Sequence, residues 1–161
     1  MTDLHATMMR RALELARTAE ATGEVPVGAV VYDAAGTIWG EGYNLVLTDR
    51  DPTAHAEIVA MRAAAKARDC ARLDGLLLAV TLEPCAMCAQ AIAWARVGTV
   101  HYGADDPKSG GLKHGAKVFD QPTCHHRPQL HAGLFAPEAG QLLTDFFRAR
   151  RAEKAATKEA P

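Results

Sequence analysis

Apolar residues return every three or four positions over the opening stretch of the chain: Leu4, Met8, Ala12, Leu15 and Ala19, with Met9, Leu13 and Ala16 beside them. That spacing predicts an amphipathic helix, with Thr2 and Asp3 as candidate N-caps and a stop near Gly23. The pattern then changes. Residues 27–32 form a β-branched run, Asp33 to Gly36 supply turn residues, and residues 37–43 read as a second strand, so a hairpin is expected. Helical spacing returns over residues 53–68, with Ile58, Met61 and Ala65 on one side. A short apolar strand follows at residues 76–82, a helix at 86–95 and another strand at 97–102. Residues 105–115 read as a loop containing Gly and Lys, and residues 129–134 as a weak strand. A final helix begins near Pro137 and runs through Leu142, Phe146 and Phe147.

The order is helix, hairpin, then strand and helix in alternation. It predicts an α/β sandwich built on a mixed sheet, antiparallel at the hairpin and parallel where helices intervene. At 161 residues and 17.2 kDa the chain is the size of one domain, taken as residues 1–152. Residues 153–161, rich in Ala, Lys and Glu, are expected to fray. With 48% apolar and 23% charged residues, the composition excludes disorder, collagen and coiled coil. No apolar run reaches the roughly 18 residues of a membrane span, and no secretory signal is legible, so a cytoplasmic protein is expected. The net charge is −1, so any grip on nucleic acid has to come from a few placed cations. Four cysteines, Cys70, Cys85, Cys88 and Cys124, are too few for a disulfide scaffold, which leaves packing, metal binding or catalysis.

Two short strings carry chemistry, His55-Ala56-Glu57 and Pro84-Cys85-Ala86-Met87-Cys88, and each falls where a helix is expected to begin. Cys85 and Cys88 are three apart, so on a helix their thiols share a face. A helix N-terminus also favours the thiolate, the form that binds metal. With His55 they make two sulfur donors and one imidazole, a set suited to zinc. Structural zinc sites are closed by four protein ligands, whereas catalytic ones keep three and leave room for water. Cys70, Cys124, His125 and His126 are not at ligand spacing from the first three. Glu57 stands beside the metal position without needing to be a ligand, and so can move protons. Packed cysteines and a core histidine would be the inert reading of the triad. Neither the Glu two residues after the His nor the Pro before the first Cys has a packing reason.

The pattern H-x-E followed by P-C-x-x-C is that of the zinc nucleobase deaminases. The wider strings 24–30, 51–58, 81–88 and 103–108, and the tail 145–151, resemble the bacterial tRNA-specific adenosine deaminases from about residue 8 to 152. The resemblance implies a cytidine-deaminase-like three-layer α/β/α sandwich, one zinc ion per subunit, and a homodimer. It implies conversion of adenosine to inosine at the wobble position of a tRNA anticodon stem-loop. By position, His55, Cys85 and Cys88 would hold zinc, and Glu57 would carry a proton to the purine N1 and then to departing ammonia. Asn44 would hydrogen-bond the flipped adenine, and Asp106 and Lys108 would meet the ribose-phosphate. His126, Arg127, Phe147, Arg148, Arg150 and Arg151 would contact neighbouring nucleotides.

Other readings stand beside these. The string 91–96 resembles the guanine deaminases, which gives a second reading as a free-base or nucleoside deaminase, for guanine or cytosine. A zinc-stapled RNA-binding module would need a fourth protein ligand. Asn44 can be a turn-former at a strand end, and Asp106 a solvated turn residue. Cys124, His125 and His126 read as loop residues and not as a second metal site. Phe146 and Phe147 are adjacent on a helix, so one is expected in the core and the other exposed.

Overall fold

The structure, a computed structural model, is described for residues 3–159. Helix α1 (Leu4–Ala21) begins at Asp3, whose carboxylate accepts from the His5 N–H; Thr2, the other candidate cap, lies outside the described residues. Strands β1 (Gly28–Tyr32) and β2 (Ile38–Tyr43) pair as an antiparallel hairpin. The Asp33 carboxylate accepts from the Ala35 and Thr37 N–H groups and fixes its turn. Then follow α2 (Ala56–Arg68), β3 (Leu77–Leu82), α3 (Ala86–Ala95), β4 (Thr99–Ala104), β5 (Gln129–Ala132) and α4 (Ala136–Glu159). The sheet order is β2-β1-β3-β4-β5, with β1 antiparallel to both neighbours and β3, β4 and β5 mutually parallel. It is the expected mixed sheet.

Every residue of β1 is buried, because both faces of the sheet are covered. Val30, Tyr32 and, from β3, Ala79 pack against α1, whereas Ala29, Val31, Leu78 and Val80 face the core shared with α2 and α3. Three layers result. Helix α4 joins the α1 side at the carboxyl ends of the strands, where Ala139 packs with Leu13 of α1 and Ala104 of β4. Beyond Ala152 the helix continues to Glu159 with every described residue exposed.

One boundary differs from the sequence pattern in a way that matters. Helical spacing suggests a start at residue 53, yet α2 begins at Ala56 and His55 is extended, with φ −73° and ψ 155°. The Asp51 carboxylate accepts from the Thr53 N–H and hydroxyl, and the Leu45 N–H donates to the Ala54 carbonyl. These local bonds hold residues 51–54 out of the helix. Helix α2 is pressed close against β2: a Cβ on Gly42 would stand 2.6 Å from both the Ala56 carbonyl oxygen and the Ala60 nitrogen. Only glycine permits that approach, which brings the start of α2 beside the end of β2.

Candidate active site

His55 caps α2, Cys85 caps α3, and Cys88 lies one turn into α3, so the strings that punctuate the sequence meet at two helix N-termini. The His55 Nδ1 stands 3.6 Å from the Cys85 sulfur and 3.5 Å from the Cys88 sulfur. All three donor atoms lie within 4.8 Å of one another. A tetrahedral zinc with Zn–N of 2.0–2.1 Å and Zn–S of 2.3 Å sets its nitrogen and sulfur ligands about 3.6 Å apart. The donor set therefore fits zinc in both chemistry and spacing. Among the described residues it is the one such group of three.

The electrostatics of the cluster follow from burial and shared protons. The Cys88 thiol, hydrogen-bonded to Cys85 and buried, is pushed up, while Cys85, receiving that bond and one from His55, is pulled down to about 4. His55 is raised by its bond to Cys85. Glu57 is buried, 4% exposed, and desolvation pushes its carboxyl up to about 7. A carboxyl near 7 takes up and releases a proton at neutral pH.

Asn44 directly follows β2, and its side-chain oxygen accepts from the Ala56 N–H at 2.9 Å. It thus supplies the helix cap that the His55 side chain does not provide. The Asn44 amide N–H groups remain as its donors. The structure shows Asn44 as a capping residue at a strand end.

Two loops border the cluster, and α4 is tied to Gly23 next to one of their anchors. The loop after β2 is held by Glu24, a 1%-exposed carboxylate that accepts from the Leu47 and Thr48 N–H groups and the Thr48 hydroxyl. The loop after β4 is held by Glu83, equally buried, which accepts five N–H donors from Asp106, Leu112, Lys113 and His114. In α4, Arg150 stacks over the Phe146 ring and donates to the Gly23 carbonyl, which anchors the helix beside Glu24. Phe146 is buried and Phe147 is 44% exposed, so the second is the free aromatic. Arg148 and Arg151 are exposed, Arg148 lying 3.7 Å from Asp145.

The remaining sequence candidates divide. The Asp106 carboxylate accepts from the Lys108 and Ser109 N–H groups and so folds its own turn, leaving the Lys108 side chain exposed. His126 bonds through Nε2 to the Val97 carbonyl at 2.7 Å, with exposed Arg127 beside it. Val97 precedes β4, whereas Cys85 pairs with Gly110, beyond the far end of β4. Six residues at about 3.3 Å each put the two ends roughly 20 Å apart. Within one chain, then, His126 and Arg127 are not brought to the site. Cys124 is buried, its thiol donating to the His126 carbonyl.

Glu24 and Glu83 carried no assigned role in the sequence, because periodicity places a charged residue at a strand end in solvent by default. The one hint was that each sits just ahead of a proline-containing string next to an apolar strand.

Residues 2–104 match the sequence pattern of the cytidine and deoxycytidylate deaminase zinc-binding region. The chain belongs to that family of zinc-binding deaminases. Within the family it is 49% identical, over 91% of its length and 85% of the other protein's, to the tRNA-specific adenosine deaminase of Haemophilus influenzae. A solved structure from work on A-to-I editing by tRNA:A34 deaminases at the wobble position of transfer RNA superposes with a TM-score of 0.83. The identity there is 44%, over 85% of this chain and 99% of that one. A guanine deaminase from Nitrosomonas europaea superposes with a TM-score of 0.77 at 25% identity, over 88% of this chain and 83% of that one.

Proposed function

We propose that this enzyme hydrolyses the 6-amino group of adenosine at the wobble position of a tRNA anticodon, with water entering and inosine and ammonia leaving. The observation that carries the reading is the 49% identity to a tRNA-specific adenosine deaminase over 91% of the chain, around a three-donor cluster that includes His55 and has buried Glu57 beside it. His55, Cys85 and Cys88 would hold a zinc ion, whose Lewis acidity would make a water nucleophilic at neutral pH. Glu57 takes the proton of that water, delivers one to the purine N1, and passes a further one to the departing amine. Its burial pushes the carboxyl up from the ordinary range, which favours a group that both takes and gives a proton. The Asn44 amide donors, with their oxygen fixed by Ala56, orient the base.

A base inside a duplex is out of reach of such a site, so the substrate is a single-stranded loop nucleotide flipped outward. Lys108, Phe147, Arg148 and Arg151 are exposed, and in this reading they supply phosphate contacts and a stacking face. Arg150 acts through the chain, tied to Gly23.

A homodimer completes the reading. Met87 and Trp94, seven apart on α3, are 36% and 77% exposed, an apolar face with no cover among the described residues. Two α3 helices packed antiparallel would set the Val97 end of one beside the Cys85 end of the other. His126 and Arg127 would then reach the partner's site. The reading is of a cytoplasmic enzyme; among the described residues no helix is long and apolar enough to cross a membrane.

The second reading, a guanine deaminase, draws on the 25%-identical neighbour. One assay decides between them: ammonia release from an anticodon stem-loop carrying adenosine at the wobble position, against release from free guanine, cytosine and adenine. Turnover of the stem-loop alone is expected. Turnover of a free base with an inert stem-loop would overturn the proposal.

A further inference from the structure

Glu83 joins the last residue of β3 to Pro84 and Cys85, and its side chain is wholly buried. One carboxylate oxygen accepts from the Leu112, Lys113 and His114 N–H groups at 3.3, 2.8 and 3.0 Å. The other accepts from the Asp106 N–H at 2.9 Å and meets the His114 Nδ1 at 2.8 Å. All five donors come from the one loop after β4, and they come from both of its ends. The loop is also pressed onto the cysteine segment. Gly110 pairs with Cys85, and the Gly111 N–H donates to the Pro84 carbonyl at 2.8 Å. A Cβ on Gly110 would stand 2.5 Å from the Glu83 carboxylate, and one on Gly111 2.5 Å from the Ala86 nitrogen. A buried carboxylate is costly unless its lone pairs are filled, and this one is filled entirely by the backbone and ring of a rim loop.

We infer that Glu83 is a positioning residue: it fixes the 105–114 loop against the Cys85 segment and thereby presents the Asp106-Pro107-Lys108 turn to the substrate's sugar-phosphate. This rests on the reading of Lys108 as a substrate contact. Packing alone would need no donors from both ends of the loop. The Asp106 N–H in particular ties Glu83 to the turn whose other N–H groups the Asp106 carboxylate already holds.

The test is Glu83→Gln in the full-length zinc-loaded enzyme. Glutamine keeps the shape and one oxygen, enough for the three donors at Leu112 to His114. Its amide nitrogen then faces the Asp106 N–H, which loses its acceptor, and the His114 Nδ1, which in its other tautomer accepts from the amide and keeps its bond. The expected result is one zinc per chain, a kcat within about twofold, and a KM for the anticodon stem-loop raised about tenfold, the scale of one lost hydrogen bond. Amide exchange should quicken at residues 106–109 and stay unchanged at 85–88. In a double-mutant cycle with Lys108→Ala, the pair of substitutions should raise KM by less than the product of the two single effects. Loss of zinc with kcat and KM failing together would show a support for the cysteine segment and overturn the inference, as would quickened exchange with an unchanged KM beside a Lys108→Ala that raises it. If Lys108→Ala leaves KM unchanged, the contact reading falls on its own, and the exchange pattern decides whether Glu83 fixes the loop. Should Glu83→Gln fail to fold, His114→Ala removes one donor and keeps the carboxylate. A smaller KM rise at full zinc supports the inference, and an unchanged KM overturns it.

Discussion

At the scale of single residues, the site separates groups that hold from groups that react. Glu57 is buried without ligating, beside two sulfurs and an imidazole. Glu57→Ala is expected to keep one zinc per chain by metal analysis while ammonia release falls by about 10²–10⁴-fold, the usual worth of general acid–base assistance. Near-normal turnover with zinc retained would remove it from the reaction. The oxygen of Asn44 caps α2, and its N–H groups are the donors proposed for the base, so the two can be separated. Asn44→Asp keeps the capping oxygen and exchanges the donors for an acceptor. Thermal melting is expected to stay near that of the parent while KM for the stem-loop rises. Asn44→Ala should in addition lose about 1 kcal/mol of stability with the cap. A drop in melting temperature for the Asp variant with KM unchanged would confine Asn44 to capping.

At the scale of elements, α4 shows how one helix can be half structural. Phe146 and Arg150 face inward, onto the core and onto Gly23, whereas Phe147, Arg148 and Arg151 face solvent. Deleting the helix would confound the two roles, so point substitutions are the useful probe. Arg148→Ala with Arg151→Ala is expected to leave melting unchanged, to weaken stem-loop binding, and to flatten the salt dependence of its affinity by about 0.7 in log–log slope per lost phosphate contact. An unaltered slope would make the outer face merely solvated. The rim loops behave differently, since each hangs on one buried carboxylate, Glu24 or Glu83. Neither was legible as more than part of a family string. Alternation and helical spacing report which face of an element is apolar, and they are silent on a glutamate that collects backbone donors from residues 23 to 31 positions away.

At the scale of the whole molecule, α3 leaves Trp94 uncovered at 77% exposure. In the proposed homodimer, Trp94→Glu is expected to give a monomer by light scattering and to reduce stem-loop affinity, since the partner's His126 and Arg127 would then be lost. A variant that stays dimeric would put the interface elsewhere. The sheet edge opposite the hairpin carries another global feature. His101 of β4 stacks between His5 of α1 and His131 of β5, at ring separations of 4.2 and 4.7 Å, with Tyr32 of β1 bonded to His5. Burial first, and then its two histidine neighbours, push His101 down to about 4, against a smaller opposing pull from Asp3. Between roughly pH 6.5 and 4 the unfolded chain therefore takes up a proton that the folded chain refuses. Stability falls as pH drops through that window, by on the order of 1–2 kcal/mol at pH 5, and is indifferent to this group above it. Denaturant melts at pH 7.5 and 5 should show the loss, and His101→Phe should remove it; an equal loss in the variant would assign the acid sensitivity to other groups.

The order of elements, the antiparallel hairpin, the parallel half of the sheet and the zinc donor set were all written in local spacing. Periods of two and of about 3.6, and a His-x-Glu beside a Cys-x-x-Cys, are properties of neighbours along the chain. What they could not set was the start of α2, because Asp51 and Leu45 bonds outcompete the helical propensity of residues 53–55. Nor could they tell Phe146 from Phe147, whose sequence neighbourhoods are the same and whose fates depend on where Gly23 lies. The split of Asn44 between cap and donor, the remoteness of His126 from Cys85, and the burial of Glu24 and Glu83 were likewise decided only by tertiary structure. Each depends on a hydrogen bond or a separation between segments far apart in the chain, and such a distance has no local signature until the sheet brings its strand ends together.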